Sequence, residues 1–219
     1  MTPRTHRLRR TLLILILALL GLAAYARFVE PFWLRVRTVR LPLAGLDPAL
    51  EGYRIVFMSD LHRNGYVPLS LIERAVERAN ALQPDLIVLG GDYVRGRADA
   101  ARELIPVLER LYAPHGIYAV LGNHDRWSDP DLIREALRQA GVRVLLNEGV
   151  TLAREGAPFY LAGLDDAWSG VPGLPVALAD APRGAPIILV AHEPDLADRF
   201  IPQAAALGKP LALQLSGGQ

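Results

Sequence analysis

Four short apolar segments of this chain each end in residues whose side chains can bind a metal ion. Buried β-strands have this length and composition, and the carboxyl ends of parallel strands meet at one edge of a sheet. The repetition therefore predicts an α/β fold with polar side chains gathered along one rim. The segments and the residues that follow them are Arg54–Met58 with Asp60 and His62, Leu86–Leu89 with Asp92, Ile117–Leu121 with Asn123, His124 and Asp125, and Ile187–Ala191 with His192.

The stretches between these strands have the apolar spacing of helices. Leu69–Ala79 repeats apolar residues at helical intervals, and Asp129-Pro130 opens a helix that Gly141 ends. After this helix, short strands follow one another closely, which predicts a β-rich second half. We expect one mixed sheet or two, with helices outside. The other predicted elements are strands at Val142–Leu145, Val150–Ala153, Phe159–Leu164 and Leu211–Leu215, and helices around Leu104–Leu111, Leu174–Ala179 and Pro194–Phe200.

The first 40 residues have the composition of a membrane-directed segment, with eight of the 24 basic residues and one acid, Glu30. Thr11–Ala26 carries no charge, and a helix of that length spans about 24 Å, against about 30 Å for the hydrocarbon core of a bilayer. Two interpretations stay open: an uncleaved anchor, or a secretory signal with Ala24-Tyr25-Ala26 as its cleavage site. Both place the body across a membrane from the arginines, so we expect the chain at the cell membrane or exported to its outer side.

Composition excludes several classes of function. The chain has no cysteine, so disulfides, thiolate metal sites and cysteine nucleophiles are absent. Beyond residue 40 the chain carries 16 basic and 22 acidic residues. An acidic body argues against nucleic acid as a partner held by charge.

The residues at the strand ends offer oxygen and nitrogen ligands without sulfur. This set suits Mn²⁺, Fe or Zn²⁺ better than copper(I), and it is too rich in nitrogen for calcium. Taken one at a time, Asp60-Leu61-His62, Gly90-Gly91-Asp92 and His192 are weak signals, each compatible with a turn or a satisfied core residue. Gly122-Asn123-His124-Asp125 is stronger, because three consecutive polar residues behind an apolar strand are costly to bury without a purpose.

Together the motifs resemble the signature of the calcineurin-like metallophosphoesterases. Phe57–His62, Gly90–Val94, Ile117–Asp125 and Gly163–Asp166 are most similar to the membrane-anchored or exported bacterial branch. The resemblance implies a four-layer α-β-β-α sandwich that hydrolyses phosphomonoesters or phosphodiesters with two metal ions.

The composition of the leader and the resemblance together predict a domain division. Residues 1–27 would be the signal-anchor or signal peptide, residues 28–52 a linker with a first strand at Trp33–Leu41, and residues 53–219 the phosphoesterase domain.

The resemblance implies a metal-binding role for five residues. Asp60 and His62 would hold the first ion, Asn123 and His192 the second, and Asp92 would bridge both. The cofactors would be two divalent ions of Mn, Fe or Zn. Bound in this way, they would make a water molecule nucleophilic near neutral pH and neutralise charge on the phosphoryl oxygens.

The resemblance gives the next two residues of the third motif a different role. His124 would not bind metal but would stand near the leaving oxygen as a general acid or as a stabiliser of the transferring group, with Asp125 orienting its ring. Asp165, Asp166 and Trp168 follow a strand, and we assign them to turn formation and packing, with the rim of the pocket as the alternative.

The sequence departs from the family at Leu215–Gln219. The family closes its site with Gly-His-x-His, whereas this chain reads Ser216-Gly217-Gly218-Gln219. We therefore expect a domain that is truncated at its C-terminus, either because the sequence is a fragment or because the segment has been lost. Such a domain would have one imidazole fewer for each ion, weaker metal binding and reduced hydrolysis. A membrane-anchored remnant that binds phosphate ligands or partners without cleaving them is the alternative function.

The substrate class is left open by the residues. The apolar leader and the branch resemblance favour a phosphorylated small molecule or a lipid- or envelope-linked phosphodiester or pyrophosphate, similar to UDP-diacylglucosamine. That assignment rests on analogy, because a fold does not determine a substrate. Nothing in the sequence indicates the oligomeric state.

Overall fold

The computed structural model describes residues 3–43 and 46–218 and divides into two units, the first ending at Arg40 and the second beginning at Leu41. In the first unit, α1 spans Pro3–Phe28 and a short 3₁₀ turn follows at Glu30–Phe32. Within α1, Arg9–Phe28 is long and apolar enough to cross a membrane, and its side chains are exposed. A signal sequence has the same length and composition, so both interpretations of this segment stay open.

The predicted strand at Trp33–Leu41 is wrong. Residues 33–41 belong to no helix or strand, and the large apolar side chains of Trp33, Val36 and Val39 are exposed. Alternating apolar residues fit a strand only where a neighbouring strand satisfies the backbone groups. The described part of the chain supplies no such partner to this segment.

The second unit contains a first sheet of four parallel strands in the order β1-β2-β3-β4. Met58 pairs with Leu89, and Leu89 with Ala119, so the first three strands end at the same level. The loops that carry the polar motifs therefore leave one edge of this sheet. The strands are β1 at Ile55–Met58, β2 at Leu86–Leu89, β3 at Ile117–Ala119 and β4 at Arg143–Val144.

The second sheet is mixed, in the order β5-β6-β7-β8. The hairpin of β5 and β6 is antiparallel, whereas β7 and β8 run parallel to β6. Gly163 pairs with Val190 and Ala191 with Ser216, which brings the ends of three strands together. The strands are β5 at Glu148–Arg154, β6 at Ala157–Gly163, β7 at Ile187–Ala191 and β8 at Leu211–Ser216.

In the described part of the second unit, six α-helices accompany the sheets. The predicted helices at Leu69–Ala79 and after Asp129 are confirmed, and the side chain of Asp129 caps its helix by accepting from the backbone N–H of Leu132 at 3.0 Å. A helix that the apolar spacing did not predict begins at Asn123. The helices are α2 at Leu69–Ala81, α3 at Ala101–Leu108, α4 at Asn123–Ser128, α5 at Pro130–Gln139, α6 at Leu174–Ala177 and α7 at Ala197–Ala206.

The buried residues form three apolar layers. Because strand side chains alternate, Ile87 and Leu89 pack toward the helices outside the first sheet, while Leu86 and Val88 pack between the two sheets. On the far side, the second sheet packs against α6 and α7, with Phe200 fully buried. The predicted α/β class and four-layer α-β-β-α sandwich are confirmed.

Candidate metal centre

The loops after β1 and β2 run side by side past the end of the first sheet. The backbone N–H of Asp60 donates to the carbonyl of Gly91 at 3.0 Å, and that of His62 donates to the carbonyl of Asp92 at 2.9 Å. These bonds continue the parallel pairing of the strands beyond their ends. They hold the first two predicted motifs in register with each other.

Three of the predicted ligands have left-handed backbone conformations. Asp60, His62 and Asp92 have φ values of 59°, 44° and 59°. Residues other than glycine adopt this region at a cost, and such residues cluster at functional sites. The backbone turns sharply at each of these positions and directs the side chains toward one place.

The side chains of these loops meet that of His192, which follows β7 in the second sheet. The Nε2 atom of His62 lies 3.5 Å from Oδ1 of Asp60 and 3.6 Å from Oδ2 of Asp92. The Nε2 atom of His192 lies 3.4 Å from the same Oδ2. Asp92 is therefore between two imidazoles, one from each sheet.

Two sets of possible ligand atoms form in this way, and Asp92 belongs to both. One set is His62, Asp92 and His124, and the other is Asp60, Asp92 and His192; within each set the atoms lie within 4.8 Å of one another. The resemblance gave His124 no ligand role, yet a nitrogen of its ring lies in the first set. A shared carboxylate between two donor sets is the arrangement that a pair of ions requires.

The hydrogen bonding of His192 suits a metal ligand. Its Nδ1–H donates to the carbonyl of Gly90 at 2.7 Å, and the residue is 2% exposed. In the neutral ring this bond places the proton on Nδ1 and leaves the lone pair of Nε2 for a cation beside Asp92. The donor set, the tautomer and the burial all fit a divalent cation.

Charge around these residues shifts their pKa values. Burial lowers the pKa of His192, but bonds to Asp92 and Gly90 and the nearby carboxylates outweigh it and raise the pKa to about 9. Burial raises the pKa of Asp60, but hydrogen bonds from His62, Ser59 and Gly218 outweigh it and lower the pKa to about 2. A proton on His192 thus competes with any cation for Nε2.

Two glycines allow the strand ends to approach closely. A Cβ atom at Gly91 would lie 2.6 Å from the backbone nitrogen of Gly122 and 2.8 Å from Nδ1 of His192. A Cβ atom at Gly122 would lie 2.3 Å from Oδ1 of Asp92. Both positions therefore require glycine if the carboxylate and the imidazole are to meet.

Asn123 and His124 begin α4 directly after this close approach. Asn123 is 9% exposed, and the backbone N–H of His124 donates to Oδ1 of Asp92 at 2.9 Å. The ring of His124 packs edge to face against His62, with centroids 5.0 Å apart. Burial is the largest influence on His124 and lowers its pKa. The third motif thus joins the other two at the same rim.

Asp125 has partners other than those the resemblance implied. Its carboxylate accepts from the backbone N–H groups of Asp92 at 2.8 Å, Tyr93 at 2.9 Å and Gly122 at 3.0 Å. These bonds tie α4 to the loop after β2, so its oxygens face amides rather than the ring of His124. Burial raises the pKa of Asp125 to about 7, against these amide donors, which lower it.

The end of β8 also reaches this rim. The backbone N–H of Gly218 donates to Oδ2 of Asp60 at 3.1 Å. A Cβ atom at Gly218 would lie 3.2 Å from Nε2 of His192, and one at Gly217 would lie 1.8 Å from Oγ of Ser59. Gly218 therefore lies against Asp60 and His192, two members of the same donor set.

Two further residues near the rim, Arg126 and Trp127, were not predicted as site residues. Arg126 of α4 forms an ion pair with Asp165 at 2.5 Å, and the ring of Trp127 lies edge to face with that of His124, with centroids 5.0 Å apart. Trp168 lies beside Trp127, with centroids 6.4 Å apart. The periodicity that identifies a core face does not reveal such contacts, because they join loops far apart in the sequence.

Known proteins provide an independent comparison. Residues 53–208 match the sequence profile of a family described as calcineurin-like phosphoesterase. The phosphodiesterase YaeI of Escherichia coli is 35% identical over 176 residues, which cover 78% of this chain and 63% of that protein. The UDP-2,3-diacylglucosamine pyrophosphatase LpxG of Chlamydia trachomatis is 37% identical over 102 residues, which cover 46% of this chain and 31% of that protein. The chain thus spans less than two thirds of each of these relatives.

A solved structure supports the fold alone. A Staphylococcus aureus chain assigned as a 5′-nucleotidase superimposes with a TM-score of 0.50 and is 18% identical in sequence. The superposition covers 75% of this chain and 44% of the nucleotidase chain. The profile match covers most of the second unit and includes all four loops that form the rim. The chain belongs to the calcineurin-like phosphoesterases, a family of metal-dependent phosphoric ester hydrolases that use a dinuclear centre.

Proposed function

We propose that this chain holds two divalent cations at the rim and hydrolyses a phosphodiester, phosphomonoester or pyrophosphate bond. The observation that carries the proposal is the position of Asp92, whose carboxylate belongs to both donor sets. The family's division of the ligands would give Asp60 and His62 to the first ion and Asn123 and His192 to the second, with Asp92 between them. The side-chain positions instead group Asp60 with His192 and His62 with His124, and Asp92 is common to both divisions. When bound, the pair would activate a water molecule and neutralise charge on the phosphoryl group.

The protein's own residues then have separate tasks. His124 lies beside His62 and, with its lowered pKa, can hold or release a proton near the leaving oxygen. We assign Asp125 a positioning role: it binds the amides of residues 92, 93 and 122 and so places both Asp92 and the start of α4. His124 is the residue proposed to act on the substrate.

The experiment that tests the proposal is metal binding by the purified full chain. We expect Mn²⁺, Fe²⁺ or Zn²⁺ to bind, and Asp92→Asn to remove both ions together, because one carboxylate serves both. Asp131→Asn is a matched control, since Asp131 lies exposed in the first turn of α5. Loss of only one ion in the Asp92 variant, or unchanged binding, would contradict a shared carboxylate.

We further propose that metal binding and hydrolysis are weak in this 219-residue chain. The stretch at residues 216–218 presents backbone groups to Asp60 and His192 where the resemblance expects two imidazoles. Each ion would keep three protein ligands, a number that catalytic sites tolerate with water completing the shell. Inserting His-x-His-Gly after Gly217 should increase Mn²⁺ affinity and the hydrolysis of an aryl phosphodiester. Equal values before and after insertion would refute this.

A remnant that binds phosphate ligands without cleaving them is the second candidate function, favoured by the same stretch. Metal content and turnover separate the two candidates. Bound metal with hydrolysis that depends on Mn²⁺ supports the enzyme, whereas phosphate binding without turnover at saturating Mn²⁺ supports the remnant.

The substrate and location follow from the relatives and from α1. We propose a phosphorylated small molecule or a lipid- or envelope-linked diphosphate, by analogy with the pyrophosphatase LpxG. We propose that α1 anchors the chain in the membrane or serves as its export signal. Fractionation of cells separates these: an anchored chain stays with membranes after alkaline washing, and an exported one becomes soluble and shorter at its N-terminus.

A further inference from the structure

We propose that Trp127 and Trp168 form a stacking platform for a planar ring, such as a nucleobase, carried by the substrate next to its reacting phosphate. This inference rests on the proposed function, because it assumes that the phosphate binds at the rim. The platform would select substrates by the group attached to the phosphate.

The two tryptophans are unusual in being both exposed and adjacent. Trp127 is 57% exposed and Trp168 is 68% exposed, and their ring planes are tilted by 34° with centroids 6.4 Å apart. Single exposed apolar side chains need no explanation, but a pair in contact exposes a continuous aromatic surface. Exposed apolar surface of this kind marks a candidate binding site.

The platform is continuous with the reaction centre. Trp127 lies edge to face with His124, and His124 lies edge to face with His62; both pairs of centroids are 5.0 Å apart. A ring attached to a phosphate through one sugar can lie on the tryptophans while the phosphate stays beside His124. This contact favours a part of the substrate over a bilayer as the occupant.

Buried carboxylates hold the loop that carries Trp168. Asp165 accepts from the backbone N–H of Val171 at 2.9 Å, Asp166 from that of Ser169 at 2.6 Å, and Glu193 from that of Ala167 at 3.1 Å. All three carboxylate residues are at most 5% exposed. The loop therefore presents an exposed tryptophan on a fixed backbone, which is how a binding surface avoids the entropic cost of ordering.

An ion pair fixes the two halves of the platform to each other. Arg126, next to Trp127, contacts Asp165, and the side chain of Asp165 is 6% exposed. The pair thus links α4 to the Trp168 loop across 39 residues of sequence. This link helps to hold the segments that carry the two rings side by side.

Aromatic stacking explains why a nucleobase suits this surface. Every base has a π face, and stacking on an aromatic side chain increases affinity by about 5- to 150-fold. The wide indole faces stack without demanding a particular pattern of hydrogen bonds. The platform is therefore expected to prefer rings over other groups rather than one base over another.

The experiment compares two ligands that differ only in the ring. Adenosine 5′-monophosphate and ribose 5-phosphate are titrated into the full chain in detergent, by calorimetry and tryptophan fluorescence, with metal-free and Mn²⁺-loaded samples run in parallel. Metal-free samples exclude hydrolysis. We expect the nucleotide to bind at least about 5-fold more tightly than the sugar phosphate and to quench the fluorescence.

The variants isolate the platform. Trp127→Leu and Trp168→Leu should each bring the ratio of nucleotide affinity to sugar-phosphate affinity close to one, and the affinity for ribose 5-phosphate should not change. Trp168→Phe should keep most of the nucleotide's advantage. The third tryptophan, Trp33, lies in the other unit, so Trp33→Leu is a matched control that should preserve the advantage. Equal loss for both ligands in the Leu variants would indicate a structural role and overturn the proposal.

The outcomes also separate this inference from the proposed function. A nucleotide advantage in a protein that fails to bind Mn²⁺ when it is supplied supports the platform and contradicts the two-metal site. Bound Mn²⁺ with equal affinity for both ligands contradicts only the platform. Quenching of Trp127 and Trp168 by brominated lipid in proteoliposomes, with equal ligand affinities, would assign the pair to a bilayer and overturn the proposal.

Discussion

Gly122→Ala tests whether the rim is packed as tightly as its geometry indicates. A Cβ atom at position 122 would lie 2.3 Å from Oδ1 of Asp92 and 2.8 Å from both the backbone nitrogen of Asp92 and Cε1 of His192. The backbone at Gly122 is extended, with φ −104° and ψ 178°. Alanine adopts this conformation readily, so any effect of the substitution is steric rather than conformational.

The size of the effect follows from the contact distances. Non-bonded carbon contacts are comfortable at about 3.5 Å, so the carboxylate of Asp92 must move by about 1 Å. A misplacement of about 1 Å costs a catalytic step about 100-fold. Overpacking also lowers the free energy of unfolding by about 1–3 kcal/mol. Because Asp92 is common to both donor sets, we expect the affinity for both ions to fall at least about 10-fold.

The assay combines calorimetric titration with Mn²⁺, hydrolysis of an aryl phosphodiester and thermal unfolding. Gly65→Ala is the matched control, since Gly65 lies in the loop after β1 and a Cβ atom there meets nothing within 4 Å. We expect the control to retain the parental metal affinity and stability. If Gly122→Ala binds Mn²⁺ as tightly as the parental chain, the claim that Asp92 bridges two ions in this packing is wrong.

Three further predictions concern charge and capping. The pKa of His192 is raised from 6.5 to about 9, so its contribution to the stability of the metal-free protein is complete below pH 6.5 and is lost as the pH rises to about 9. As the pH rises through this range, the affinity for Mn²⁺ should increase, and at its lower end binding should release a proton from His192. Calorimetry at several pH values measures both, and an affinity that does not change with pH would contradict the prediction. Asp125→Asn should lower the thermal midpoint, because the Asn side chain keeps one acceptor oxygen and turns an NH₂ donor toward the buried amides that the other oxygen bound, at about 1–3 kcal/mol for each amide left without an acceptor. Asp129→Ala should cost about 1 kcal/mol of unfolding free energy through loss of the α5 cap, without changing metal affinity.

The convergence of the motifs was predictable because it follows from strand direction. Residues that follow buried parallel strands must leave the sheet at one edge, and Asp60, Asp92 and His192 meet there. The capping of α5 was predictable for a similar reason, since Asp129-Pro130 is a local signal. In both cases short-range chemistry and the three-dimensional arrangement agree.

Other features depend on the path of loops, which no local pattern encodes. The sequence identified Asp125 as functional, but which donors face its carboxylate depends on how α4 lies against the loop after β2. The ion pair of Arg126 with Asp165 joins α4 to the loop after β6, two segments for which the sequence predicted no contact. The prediction of a strand at Trp33–Leu41 was wrong for a different reason. The alternating apolar residues are typical of a strand, but a strand needs a hydrogen-bonded neighbour, and the described residues supply none.

The local backbone that forms the rim is among the least favourable in the domain, and this explains how the site is maintained. Asp60, His62 and Asp92 each occupy a left-handed conformation that costs of order 1–3 kcal/mol. The amides that Asp125 binds lie within and beside this strained backbone. Asp125 is itself fully buried, with a raised pKa. The hydrogen bonds of Asp125 therefore offset the local strain. They form when the loops after β2 and β3 lie where they bring the proposed ligands together. The contacts of Asp125 serve both stability and ligand placement, so their loss is expected to reduce both. A substitution that relieves the left-handed strain itself is expected to raise stability while displacing the ligands.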